Sequence, residues 1–103
     1  MMSENSKGFI VIYKWIVHPE HEQAFRERWH ATTLRGRELG AYGSCLSRDV
    51  FGHFVAIACW PSEQARAAAF EAMGPGDPWI GARRIAETKL HVEDNLWVKS
   101  PFG

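Results

Sequence analysis

Three features of the sequence predict an α+β domain of the ferredoxin-like type, β-α-β-β-α-β, with both helices on one face of an antiparallel sheet. Four segments rich in β-branched and aromatic residues alternate with two of helical spacing, in that order. Short turn and breaker clusters separate them, with no linker, repeat or low-complexity stretch, so the 103 residues divide into a polar, frayed segment 1–7 and one domain over 8–103 with one core. Finally, the first and third strands are apolar on both sides, which suits a sheet whose second face is also covered.

The first strand, Phe9 to Val17, is interrupted only by Lys14. His18-Pro19-Glu20 opens a helix: proline suits a first helical position, whose N–H has no partner anyway, and Glu20 and Glu22 sit at the positive end of the helix dipole. That helix runs through Phe25, Trp29, Thr32 and Thr33, with Gly36 or Gly40 as its stop. Tyr42 to Arg48 is a weaker second strand, turned by Val50-Phe51-Gly52 into a third, His53 to Trp60, making a hairpin. Pro61-Ser62-Glu63 starts a second helix, in which the serine hydroxyl accepts from first-turn amides, Ala65 to Ala69 propagate, and Phe70 and Met73 form the apolar side. Gly74-Pro75-Gly76-Asp77-Pro78 ends it. Trp79 to Arg84 reads as a short helical or irregular piece, and the alternation from Leu90 to Val98 as the fourth strand.

Composition excludes several function classes. Apolar residues at 46% and charged residues at 23% are ordinary for a globular domain, and no apolar run approaches the ~20 residues of a membrane span. Twelve Lys and Arg balance twelve Asp and Glu, so there is no overall positive field for nucleic acid or anionic lipid. Cys45 and Cys59 fall in adjacent strands as buried, inert thiols, and the polar N-terminus lacks a signal-like apolar stretch, which points to the cytoplasm. The two-sided apolar strands call for a cover on the second face, and the simplest cover is a second copy, giving a two-fold homodimer.

The chain resembles the antibiotic-biosynthesis-monooxygenase-like domains of the dimeric α+β barrel superfamily, from Phe9 to about Val98. The likeness rests on Tyr13-Lys14-Trp15-Ile16-Val17 closing the first strand, the His-Pro-Glu helix start, Phe25 and Trp29 in the first helix, Gly43 to Leu46, and Ala58-Cys59-Trp60-Pro61-Ser62-Glu63. It implies two sheets facing each other in a barrel and a pocket between each subunit's sheet and helices. It also implies oxygenation of small aromatic or polyketide-like compounds without metal, flavin or other cofactor. A haem-degrading subgroup uses an Asn on the first strand, a Trp on the second helix and a His shortly after it. Here Tyr13, Ala69 and Trp79 stand at those positions, which disfavours haem degradation.

Cofactorless oxygenation makes the substrate itself reduce oxygen, so a site must generate and hold a substrate anion in a dry cavity. Strand alternation puts Phe9, Val11, Tyr13, Trp15 and Val17 on one face, which the resemblance assigns to the helices. Helical spacing adds a stripe of His21, Phe25, Trp29 and Thr32 or Thr33. Tyr13, Trp15, Trp29, Trp60, Phe70 and Trp79 are therefore candidate pocket walls, or else simply the core of a small domain. His30, His91 and Tyr13 are the catalytic candidates: histidine as a base near neutrality, tyrosine as a proton donor, with Arg83-Arg84 as an anion clamp. His30 lies just off the Trp29 stripe, at a pocket mouth or in water, and His91 alternates with Leu90 and Val92, beside Glu93. His53 begins a strand at the hairpin, and His18 and His21 lack further ligands at metal-binding spacing, so no metal is expected. The competing function is a non-catalytic dimeric module that binds a small apolar ligand or merely assembles.

Overall fold

The computed structural model describes residues 8–102; the frayed segment expected at 1–7 lies outside the described residues. The elements are β1 (Phe9–Val17), α1 (Glu22–Glu38, entered through a 3-10 turn Pro19–His21), β2 (Gly43–Arg48), β3 (Phe54–Trp60), α2 (Glu63–Met73) and β4 (Ala82–His91). The strands form one antiparallel sheet in the order β2-β3-β1-β4, the expected ferredoxin-like arrangement. No helix among the described residues is long and apolar enough to cross a membrane.

Period-two alternation sorts β1 as the sequence suggests. Phe9, Val11, Tyr13 and Trp15 are buried, together with Phe54, Ala56 and Trp60 of β3, against Phe25 of α1 and Ala69 of α2. Ile10, Ile12 and Ile16 share the opposite, helix-free face with Val55, Ile57 and Cys59, their cross-strand and same-face neighbours. Gly36 does not end α1. It is buried within the helix, where a Cβ would lie 3.8 Å from Ala41 and 3.9 Å from Trp60, so a glycine permits close approach of α1 to the sheet; the helix ends at Glu38, two residues before Gly40, whose φ is 113°. Ser62 Oγ accepts from Ala65 N–H at 3.0 Å and caps α2.

Two expectations are corrected. The fourth strand is Ala82–His91 rather than Leu90 to Val98, so most of the stretch read as helical or irregular from Trp79 to Arg84 is a turn leading into strand. β4 is an edge strand, exposed along almost its whole length, and pairs only with β1; nothing requires it to carry an apolar stripe. The alternation beyond Leu90 has no ladder to join, because antiparallel β1 begins at Phe9 opposite His91 and only Gly8 remains to accept from Val92 N–H, at 3.1 Å. The other correction concerns the cysteines, both expected buried: Cys45 is exposed on edge strand β2, and Cys59 is half-buried on the helix-free face.

Candidate functional site

A cavity of about 380 Å³ lies between the helix-facing side of the sheet, α1, α2 and the segment 74–79. Its existence follows from a mismatch of side-chain size. Opposite Tyr13 and Val11 of β1, β3 offers only the methyl groups of Ala56 and Ala58, and Gly43 of β2 and Gly36 of α1 also reach the cavity without a side chain. The rings that surround this floor are held at its edges by one another. Trp15 is stacked on Tyr13 and on Trp79, with centroids 5.5 Å and 5.8 Å apart, and meets Phe25 edge-on at 5.1 Å, while Trp60 meets Phe70 edge-on at 5.9 Å. Tyr13, Trp15, Trp29, Trp60, Phe70 and Trp79 all line the space.

The segment after α2 is tied across the cavity by Arg28. Its guanidinium donates to the carbonyl of Pro78 at 2.6 Å and to that of Asp77, and lies 4.6 Å from the Trp79 ring. Arg28 was not among the residues the sequence pointed to, since its partners are backbone carbonyls about fifty positions away and leave no pattern in the chain.

A second polar cluster stands beside Tyr13. Arg66 of α2, with an 11% exposed side chain, donates to Tyr13 Oη at 2.7 Å and approaches Glu87 of β4 at 3.7 Å. Arg84 pairs with the same carboxylate at 3.0 Å and lies over the rings of Tyr13 (4.7 Å) and Trp15 (5.4 Å), while Lys89 reaches Glu87 at 3.7 Å. A register shift in β4 beyond Lys14 brings Arg84 opposite Trp15 on the helix-facing side and leaves Arg83 opposite Ile16 on the other. Of the basic pair, only Arg84 lines the cavity. At the other edge of the sheet, Ser44 Oγ and Trp60 Nε1 are buried without a hydrogen-bond partner, and both residues line the cavity.

The histidine candidates lie elsewhere. His30 is exposed on α1 in a shallow depression with Gln23, Arg26 and Glu27. His91 ends β4, with a 72% exposed side chain 3.7 Å from Glu63 and its ring 5.0 Å from Phe9. His53 pairs with Asp49 at the hairpin, and His18 and His21 face each other at 6.4 Å at the start of α1. Among the described residues no group of three His, Cys, Asp or Glu is placed to hold a metal ion. Burial pushes the Cys59 thiol up from its ordinary pKa, with Cys45 adding to the shift, so it is a weak nucleophile at neutral pH.

Two solved structures share this architecture. Rv0793 from Mycobacterium tuberculosis aligns over 88% of this chain and 100% of its own, with a TM-score of 0.66 at 20% identity. A protein from Nitrosomonas europaea named "Putative antibiotic biosynthesis monooxygenase" aligns over 96% of this chain and 100% of its own, with a TM-score of 0.60 at 14% identity. The chain shares the fold of both, a four-stranded antiparallel sheet with two helices on one face. No protein-family model and no curated protein matches the chain. At these identities the likeness is one of backbone, and fold alone does not fix chemistry.

Proposed function

We propose that the chain is a cofactor-independent monooxygenase that binds a planar aromatic or polyketide-like molecule in the cavity between sheet and helices. The observation that carries this reading is the 380 Å³ space walled by six aromatic residues, in a fold shared with a protein named for monooxygenation. The chemistry is within reach of a substrate anion alone. Its carbon gives an electron to O2, the resulting radical pair combines as a peroxide at that carbon, and loss of water converts a CH2 group into a carbonyl. One oxygen atom stays in the product, and the other leaves as water with two substrate hydrogens. The residues present supply aromatic walls, the Tyr13 hydroxyl and the Arg84 guanidinium to hold the charge. Haem suits the space poorly, because no imidazole lines it and Trp79, at the position where the resemblance would seek a histidine, is stacked on Trp15.

The partner we propose is a second copy of the chain, packed on the face of Ile10, Ile12, Ile16, Val55, Ile57 and Leu90. Oxygen uptake with anthrone-like phenols and hydroquinones tests the enzyme reading: turnover dependent on the protein and lost in Trp29→Ala supports it. A second reading, a dimeric module that binds the same ligands without reaction, is favoured by one observation, that neither a histidine nor a carboxylate lines the cavity. Saturable quenching of tryptophan fluorescence with no oxygen uptake over the whole panel would select it.

A further inference from the structure

We propose that Arg28 is a positioning residue that latches segment 74–79 over the mouth of the cavity, and so sets the rate at which a planar ligand enters and leaves. This rests on the reading of the cavity as a ligand site and adds the control of access to it. A mouth exists because α1 and α2 both lie on the sheet without packing along each other, so that Trp29, Thr32 and Thr33 of α1 and Phe70 and Met73 of α2 line the cavity from its two sides. Segment 74–79 leaves the end of α2 and crosses this gap to α1. Its own backbone does little to hold it there. Gly74 N–H donates to the Phe70 carbonyl at 3.0 Å and the Trp79 carbonyl accepts from Ala82 N–H at 3.2 Å, but Pro75 and Pro78 have no N–H to give. Among the described residues, the hydrogen bonds that reach residues 75–78 are those from Arg28 to the carbonyls of Asp77 and Pro78.

Arg28 is committed to this strap. Arg26, Arg35, Arg48, Arg66 and Arg84 each stand beside a carboxylate, whereas Arg28 makes no ion pair among the described residues. Its fork of N–H donors suits two successive carbonyls, and its face lies 4.6 Å from the Trp79 ring. A Cβ on Gly76 would lie 3.4 Å from the guanidinium, so the missing side chain lets Arg28 lie against the strap. The two ends of the strap differ in firmness. Trp79 is stacked on Trp15 and sits 5.3 Å from Phe25, fixed to the core, while Gly74 takes the left-handed φ of 72° just past α2. Release of Arg28 therefore frees residues 74–78 and leaves Trp79 in place. Entry then scales with the fraction of molecules whose strap is open, and exit requires the same opening.

The probe is anthraquinone carboxamide, planar and uncharged, mixed in a stopped flow with the wild type, Arg28→Gln, Arg28→Lys and Arg35→Gln while tryptophan quenching is followed. Arg35→Gln removes the same charge from α1 at a residue outside the cavity lining. Association and dissociation rate constants should both rise about tenfold in Arg28→Gln, the factor that corresponds to one net hydrogen bond, with Kd moving far less than either. Arg28→Lys, which keeps the charge but offers a point donor rather than a fork, should lie between, and Arg35→Gln should match the wild type. Without ligand, NMR order parameters of the Gly76 and Asp77 amides should be about 0.8 in the wild type and below about 0.6 in Arg28→Gln, with those of β1 unchanged. Low values already in the wild type, values that stay high in Arg28→Gln, or a fall that extends through β1 would each overturn the latch. A rise in the dissociation rate alone would make Arg28 a ligand contact, and unchanged rates beside a released strap would mean that the ligand enters elsewhere; either overturns the control of access and leaves the cavity reading standing. No quenching in the wild type would remove the ligand site, and the gate with it.

Discussion

Asp49 sits where the β2–β3 hairpin turns, with Lys14 Nζ 2.9 Å from one carboxylate oxygen and the backbone N–H groups of Phe51 and His53 donating to the other at 2.9 and 3.0 Å. The Lys14 contact first, and the two backbone donors after partial offset by desolvation, lower its pKa from the ordinary 3.8 to about 2. A carboxyl whose folded-state pKa is depressed contributes stability that is complete above its unfolded value and vanishes as pH falls towards the folded one. Urea midpoints measured from pH 3.8 down towards 2 should therefore fall in the wild type, and Asp49→Asn should be less stable above that window and lose this part of the acid sensitivity within it. At Tyr13, which is 9% exposed, removing the hydroxyl leaves the largely buried Arg66 without its 2.7 Å acceptor. Tyr13→Phe should cost about 1–3 kcal/mol by chemical denaturation, the range for a buried hydrogen bond to a charged group. Trp29→Phe should behave differently. Trp29 is a half-buried cavity wall, so the change should leave thermal stability nearly intact and weaken aromatic ligands; a stability loss above about 1 kcal/mol with no change in ligand binding would mean the ring serves as core.

At the scale of elements, the turn into β4 is the most constrained junction. Gly81 has φ 72° and its carbonyl accepts from His18 N–H at 2.9 Å, while a Cβ there would run into the His21 ring. Gly81→Ala should destabilise by on the order of 2 kcal/mol, from the left-handed backbone together with the clash. Adding His21→Ala should restore only the part due to the ring, since the His21 Cβ would still lie 2.7 Å away, and full restoration in thermal melts would show that the left-handed backbone costs nothing. β1, the hairpin and α2 were legible because their signals are local: a two-sided apolar strand, Gly52 at a turn, and Ser62 three residues before the amide it caps. β4 was not, because an edge strand is defined by the partner that it pairs with. Arg83, Arg84, Glu87 and Lys89 satisfy β1 through the backbone while their side chains obey no core.

For the whole molecule, the helix-free face presents Ile10, Ile12 and Ile57 side by side, an apolar surface on which we propose the second copy packs. Light scattering at micromolar concentration should return twice the chain mass. Ile12→Glu, placing a carboxylate between Ile57 and Thr88, should yield a folded monomer by the same measurement, since a buried unpaired charge costs several kcal/mol at an interface. A monodisperse wild-type monomer would end the proposal of a barrel built from two sheets.

The order of elements, the buried side of β1, the helix starts and the aromatic residues that meet around the cavity were present in the sequence, because periodicity and capping act within a few residues of one another. The tertiary structure alone decided three other things. It ended β4 at His91, where antiparallel β1 runs out of residues. It placed His30 and His91 outside the cavity, because the distance of a side chain from a space between elements depends on how far each helix and strand extends past that space. And it gathered Arg66, Arg84 and Lys89 around Glu87 next to a hollow floored by Ala56 and Ala58. A cavity is unfilled volume between residues far apart in the chain, and a shared counter-ion is a contact across elements; neither has a period that a local reading of sequence can detect.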